Sequence, residues 1–112
     1  GEPLPFNPGW SLRAMVVYDK WLWDRIAAAS ACDRWSMTLS AYNGGLGWLR
    51  RDQALAAEYG LDPGRWEHVR LVNAGRSGRN HEENRGYPRR ILGVLTPVYK
   101  SAGWGREGCD VE

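Results

Sequence analysis

From Trp10 to about Ala29 the chain lays down two apolar stripes at helical spacing. Trp10, Ala14, Val17 and Trp21 form one, and Leu12, Met15, Tyr18, Leu22 and Ile26 form the other. A helix apolar over so much of its circumference is a buried helix, so the rest of the chain has to supply elements that pack around it. Those elements also read as helices, and no segment alternates like a half-buried strand. With 112 residues there is enough chain for one domain and one modest core. No internal repeat or second domain is visible. The expectation is an all-α fold, with residues 1–112 as a single domain.

Punctuation residues divide the chain. Residues 1–9 (GEPLPFNPG) read as a loop. Asn7-Pro8 starts the first helix, because Asn caps and Pro lacks only a donor that would be orphaned there. Asp33 is placed to cap a second helix ending near Tyr42, with Trp35, Leu39 and Tyr42 on one face. Asn43-Gly44-Gly45 stops it, since these residues tolerate the left-handed conformation. A third helix is expected from about Leu46 to Tyr59, with Leu55 and Tyr59 on one face and Gly60 as its C-terminal cap. Asp62-Pro63 then opens a short helix carrying Trp66, Val69 and Val72, and residues 74–80 read as a loop. The last helix runs roughly from His81 to Tyr99 with Ile91, Leu95 and Val98 inward. Pro88 is expected to kink or divide it, and residues 100–112 read as a tail.

Composition narrows the function classes. The formal charge of +2 does not by itself call for a polyelectrolyte partner. The cations are almost all arginine, the exceptions being Lys20 and Lys100. Seven tryptophans against one phenylalanine is unusual; tryptophan suits core packing and also stacking on sugar rings. No Cys/His set has metal-ligand spacing and His68 and His81 stand alone, so neither a metal site nor a cofactor is expected. Cys32 and Cys109 could pair in an oxidising compartment, which would stabilise by on the order of 4 kcal/mol through loop closure, or both could be thiols. No apolar run would cross a membrane, and no leader or lipidation motif is present. The chain starts with Gly and reads as a processed product or a fragment, with any export signal upstream.

Two segments carry chemistry. Leu39-Ser40-Ala41-Tyr42-Asn43-Gly44-Gly45-Leu46-Gly47-Trp48 resembles the A-Y-N-A-G signature of the lytic transglycosylases of the goose-lysozyme-like superfamily. Glu83-Asn84-Arg85-Gly86-Tyr87-Pro88-Arg89-Arg90-Ile91-Leu92 resembles that family's later E-T-R-x-Y-V block. Glu83, Arg85 and Tyr87 match, whereas Asn84 stands for Thr and Pro88 for Val. From about Pro8 to Tyr99 the chain is similar to phage endolysins in which a W-x-x-T-L-S-A-Y-N-G-G run and an R-G-Y-P-R-R-I-L run occur together.

The resemblance implies the C-terminal part of a lysozyme-like helical domain that cleaves peptidoglycan during host-cell lysis, acting as a monomer in the periplasm or cell wall. It implies that Tyr42, Asn43, Gly44, Glu83 and Tyr87 contact the glycan strand: the tyrosine hydroxyl beside the catalytic acid, the amide on the sugar, the glycine allowing close passage of the backbone. One carboxylic acid would protonate the bond between N-acetylmuramic acid and N-acetylglucosamine. The sugar's own 6-hydroxyl would then close on C1 to give an anhydro end. The family's acid belongs to an E-S pair followed by a G-x-x-Q segment, and neither occurs here. The catalytic acid is therefore unassigned, and the catalytic helix of the N-terminal half is expected to be lacking. Glu83 is the one carboxyl this reading places near the cleft. Neighbouring arginines would favour its ionised form, so the isolated chain is expected to be inactive.

The residues leave other readings open. Tyr42 could be a core aromatic, Asn43 only a helix cap, and Glu83 an ion-pair partner of Arg79, Arg85, Arg89 or Arg90. Arg76, Arg79, Arg85, Arg89 and Arg90 with Tyr87 could form a phosphate-binding run, although Glu82 and Glu83 interrupt it and nucleic acid is not the expected partner. A non-catalytic remnant that still holds glycan is the third possibility.

Overall fold

The structure, a computed structural model, describes residues 8–101, and the side chains of residues 17–92. Five helices and no strand occur among the described residues: α1 (Pro8–Arg25), α2 (Ala31–Gly44), α3 (Leu46–Glu58), α4 (Trp66–Val69) and α5 (Gly78–Ser101). The fold is all-α, as the periodicity predicts. Helix α2 is the centre, packing against each of the other four. One apolar core joins Leu22 of α1 and Ile26 just beyond its end, Met37 and Ala41 of α2, Leu49 and Ala56 of α3, and Trp66, Val69 and Val72 around α4.

Over its described side chains, from Val17 on, helix α1 is less buried than its two stripes predict. Leu22 and Ile26 are in the core, but Val17 is 69 % exposed, Tyr18 41 % and Trp21 43 %. The helix also stops at Arg25 rather than at Ala29. Three alanines would extend a helix by propensity, but their backbone has other partners. The Ala29 amide donates to the Gly64 carbonyl at 2.8 Å, and Gln53 Nε2 binds the Pro63 carbonyl at 3.0 Å beside Ala27. Tertiary hydrogen bonds outweigh the intrinsic preference here.

Helix α2 is capped by Ser30, not by Asp33. Ser30 is extended and its hydroxyl accepts from the Asp33 amide, the first half of a capping box. Asp33 serves elsewhere: its Oδ1 accepts the Trp66 amide at 2.9 Å and so caps α4 from outside. Asp62-Pro63 accordingly does not open a helix. Asp62 folds its carboxylate onto the Gly64 amide at 2.8 Å in a local turn, and α4 begins only at Trp66. At the end of α3, Gly60 takes φ +76. The Leu61 and Gly60 amides there return to the Ala56 and Ala57 carbonyls, the paired bonds of a Schellman ending.

Helix α5 is one element through Pro88, which is fully buried. Proline does not divide it. Leu92, at 3 % exposure, rather than Ile91 is its inward residue in this stretch. The side chains of Leu95 and Val98, residues 1–7, and the tail from residue 102 with Cys109 lie outside the described residues. Cys32 is not a free thiol.

Candidate functional site

The two sequence motifs meet at the C-terminal end of α2. The rings of Tyr42 and Tyr87 stack with centroids 6.2 Å apart and planes 19° apart. Asn43 Oδ1 accepts from Asn84 Nδ2 at 3.1 Å across 41 residues of sequence. Gly44 lies so close to Asn84 that a Cβ on it would come within 2.8 Å of Nδ2. Asn43 does not act as the helix cap, a place taken by Gly45 at φ +100, whose amide reaches the Ala41 carbonyl. Glu83 is exposed and forms no ion pair among the described residues. Four of the five expected residues (Tyr42, Asn43, Gly44 and Tyr87) are thus gathered into one place, whereas Glu83 is exposed on α5.

Asn84, a departure from the family pattern, is the residue that joins the motifs. It is 1 % exposed. Its Nδ2 donates to the Ser40 carbonyl at 3.0 Å as well as to Asn43. Its Oδ1 accepts from Ser40 Oγ at 2.8 Å and from Arg85 Nη1 at 2.7 Å. All of the amide's hydrogen-bonding capacity is filled.

Beneath this seam lies Asp52 of α3, which is fully buried. Its Oδ2 is 2.6 Å from Arg76 Nη1 and 3.1 Å from Arg85 Nη2, and its Oδ1 accepts the Ala74 amide at 3.3 Å. Arg85 further donates to the carbonyls of Arg70 and Val72 at 2.9 and 2.7 Å. Arg85 is therefore not the partner of Glu83 but the tie between α5 and the segment after α4. The expected basic run is broken in consequence: the Arg76 and Arg85 side chains are 5 % and 12 % exposed, leaving Arg79, Arg89 and Arg90 at the surface.

On the other side of Tyr42 the surroundings change. Tyr18 of α1 lies 5.8 Å from Tyr42 and stacks on Trp21 at 5.9 Å, with planes 10° apart. Trp21, Tyr18, Tyr42 and Tyr87 thus form a row of four rings. Arg25 covers one end, its guanidinium 3.8 Å from the Trp21 ring centre. Near Tyr87, on whose hydroxyl its charge acts, is the Asp19 carboxyl of α1. Its Oδ1 is buried and has no hydrogen-bond partner. Burial pushes its pKa up to about 6. Tyr87 is pushed up as well, first by burial and then by the proximity of Tyr42 and Asp19, with Arg90 opposing.

Among the described residues two buried side-chain polar atoms lack partners, Asp19 Oδ1 and Arg76 Nη2. They flank the same short segment: Asp19 is electrostatically coupled to Tyr87 beside Tyr42, and Arg76 Nη2 lies 3.6 Å from where a Gly44 side chain would begin. Unpaired buried polar atoms are rare in folded proteins, and they mark places that await a partner or store strain.

Asp19, Asp52, Arg76 and Asn84 are absent from the sequence-based site. Asp19 had a visible signal, an acid placed between Tyr18 and Trp21 in an otherwise apolar stretch. Besides Glu83, the carboxyl that the sequence reading places near the motif, Asp19 acts electrostatically on Tyr87. Among the described residues no group of three or more His, Cys, Asp or Glu side chains is placed to hold a metal ion, and no helix is long and apolar enough to cross a membrane. A shallow recess of about 490 Å³ lined by Ala27, Ala54, Ala57 and Pro63 includes none of the motif residues. No protein-family model matches this chain, and no curated protein or solved structure matches it significantly.

Proposed function

We propose that this chain binds peptidoglycan glycan strands at the end of α2, as the substrate-holding part of a lysozyme-like lytic transglycosylase domain of the phage endolysin type. The observation that carries this reading is the meeting of the two motifs. Segments that resemble one family in separate stretches of sequence come together through the Tyr42–Tyr87 stack and the Asn43–Asn84 hydrogen bond. Tyr42 and Tyr87 offer faces to sugar rings. Asn43 is exposed and keeps its amide donors for an N-acetyl carbonyl or a hydroxyl. Gly44 lets the backbone pass close to the strand. Glu83 belongs to the wall of the cleft in this reading, as a solvated polar residue. The strand is cut at the bond between N-acetylmuramic acid and N-acetylglucosamine with an anhydro end as product, and the setting is the periplasm or cell wall of an infected bacterium.

The nucleic-acid reading is weaker, because two of the five arginines it needs are neutralised inside the protein by Asp52. Sedimentation with insoluble peptidoglycan separates the two. The chain is expected to co-sediment, and Tyr42→Ala with Tyr87→Ala should weaken retention by about tenfold, the loss expected for removing roughly 1.4 kcal/mol of ring contact. Failure to co-sediment, with duplex DNA bound instead and released steeply by salt, would replace the glycan reading by the nucleic-acid one.

A further inference from the structure

Beside the stacked tyrosines stands a guanidinium with no acid on it. Arg90 of α5 is exposed and takes part in none of the ion pairs among the described residues. We propose that Arg90 binds a carboxylate carried by the glycan strand, so that this site selects acidic glycan, with its lactyl ethers and attached peptides, over a neutral polymer of N-acetylglucosamine. The proposal rests on the glycan reading above and adds to it the residue that selects the kind of strand.

Helical spacing and packing put the group there. Tyr87 and Arg90 are three residues apart on α5, and residues at that separation are neighbours on a helix surface. The Arg90 side chain folds back along the helix: its Nη1 lies 3.2 Å from the point where a side chain on Gly86 would begin. Glycine at 86 therefore leaves open the place beside Tyr87 that the guanidinium takes. The charge of Arg90 is felt at Tyr87, where it favours the ionised hydroxyl against the effect of burial. Tyr87 in turn stacks on Tyr42, the residue before Asn43 and Gly44. The cation is thus at the edge of the group of residues assigned to the strand.

The charges beneath also favour an anion. Arg76 and Arg85 share the single carboxylate of Asp52, so the buried seam carries a surplus positive charge. Arg76 Nη2 has no partner there, in a side chain only 5 % exposed. Acids stand nearby without cancelling Arg90. Glu82 and Glu83 are exposed a turn or more before it, and Asp19 acts on Tyr87 from α1. None of the three pairs with Arg90 among the described residues. A guanidinium presents a planar fork of donors that matches a carboxylate with two hydrogen bonds. A sugar carrying only hydroxyl and N-acetyl groups offers no charge to that fork. Arg89 is equally exposed but is turned about 100° around the helix from Arg90, which makes it the control.

Three soluble tetrasaccharides are the probes, titrated into the chain by calorimetry. One is neutral and contains only N-acetylglucosamine. The second alternates N-acetylglucosamine with N-acetylmuramic acid and has its lactyl carboxylate free. The third is the second with the peptide stem attached. At least one acidic probe is expected to bind about fivefold more tightly than the neutral one, the upper end for a single exposed ion pair. The preference should shrink as salt is added. Arg90→Gln should abolish it while holding the neutral probe within about twofold of the parent chain, and Arg89→Gln should retain it. A thermal melt of Arg90→Gln matching the parent shows that the loss is not one of folding. Preference confined to one acidic probe identifies the carboxylate that Arg90 binds, the lactyl group of the peptide-free strand or the peptide of the stem-bearing one. Four results would overturn the proposal and leave the glycan reading standing: equal binding of all three probes, a preference that survives Arg90→Gln, a preference lost equally in Arg89→Gln, or equal weakening of all three probes by Arg90→Gln. Absence of binding to every probe would remove the glycan reading, and this proposal with it.

Discussion

Two aspartates, Asp52 and Asp19, lie on opposite sides of the motif end of α2, and the fold treats them in opposite ways. Asp52 is fully buried and has two guanidinium groups and a backbone amide on its oxygens. Asp19 is half-buried near Tyr87, with one oxygen unpaired and no cation paired to it among the described residues. Burial raises the free energy of any carboxylate, and a nearby cation lowers it again. In the first case the protein supplies the compensation, and the result is a tie between α3, the Ala74–Arg76 turn and α5. In the second it supplies only the desolvation, and the result is a carboxyl whose charge state is left open. The polar groups of the seam hold the motif segments together, whereas the Asp19 oxygen is left without a partner in the fold.

The largest effect should come from breaking the satisfied side. Asp52→Ala leaves Arg76 and Arg85 buried without their counter-charge, and such a loss costs about 3–5 kcal/mol. Denaturant titration should show this as a lower midpoint. Asp19→Ala, measured in the same way, should cost far less, because no ion pair is lost. Equal losses at the two positions would erase the distinction between them.

A smaller effect tests how closely the seam is packed. An added methyl at Gly44 would come within 2.8 Å of Asn84 Nδ2. That amide is fixed by four hydrogen bonds, so it cannot simply swing away. Gly44→Ala should therefore destabilise by about 1–3 kcal/mol, the usual cost of overpacking. Gly47, only three residues on, meets nothing within 4 Å and belongs to α3. Gly47→Ala should stabilise by about 0.4–1 kcal/mol through the unfolded chain. Thermal melts of the pair should move in opposite directions. Motion in the same direction would mean that the close approach at Gly44 relaxes without cost.

The helices themselves were legible because their signals are local. Asn43-Gly44-Gly45 and Gly60 end helices where the sequence says they should, and Trp66, Val69 and Val72 are buried at their helical spacing. What the sequence hid depends on partners far along the chain. Asp33 has the chemistry of a cap but caps α4 rather than its own helix, because Ser30 already holds the Asp33 amide. Ala27 to Ala29 leave α1 because Gly64 and Gln53 compete for their neighbourhood. Part of the candidate site was visible as motif residues, Tyr42, Asn43, Gly44 and Tyr87. Asp52 with Arg76 and Arg85 could not be read, since pairs 24 residues apart or more leave no periodic trace. Trp21 and Tyr18 were read as core because their stripe is apolar, and periodicity reports a face without telling which side of that face another element covers.

The smallest expected effect is also the one that bears directly on Asp19. In the unfolded chain its carboxyl titrates near 3.8, and in the fold near 6. The folded state therefore holds the proton more tightly. The neutral carboxyl contributes stability that is fully present below pH 3.8 and is lost as pH rises through about 6. Asp19→Asn removes this titration and leaves a neutral group of the same shape. The stability of the parent chain minus that of Asp19→Asn should thus fall between these two pH values and stay flat above them. Taking the difference cancels the other carboxylates that titrate in the same window, because they are common to both proteins. The half-exposed position admits water and salt, so the change should be about 1 kcal/mol or less. Denaturant midpoints of both proteins at acidic, intermediate and neutral pH measure it. A difference that rises with pH would mean that the fold favours the Asp19 carboxylate, as it would if a donor occupied the unpaired oxygen in solution. Asp19 would then resemble Asp52, and the contrast between the two sides of α2 would fail at its origin.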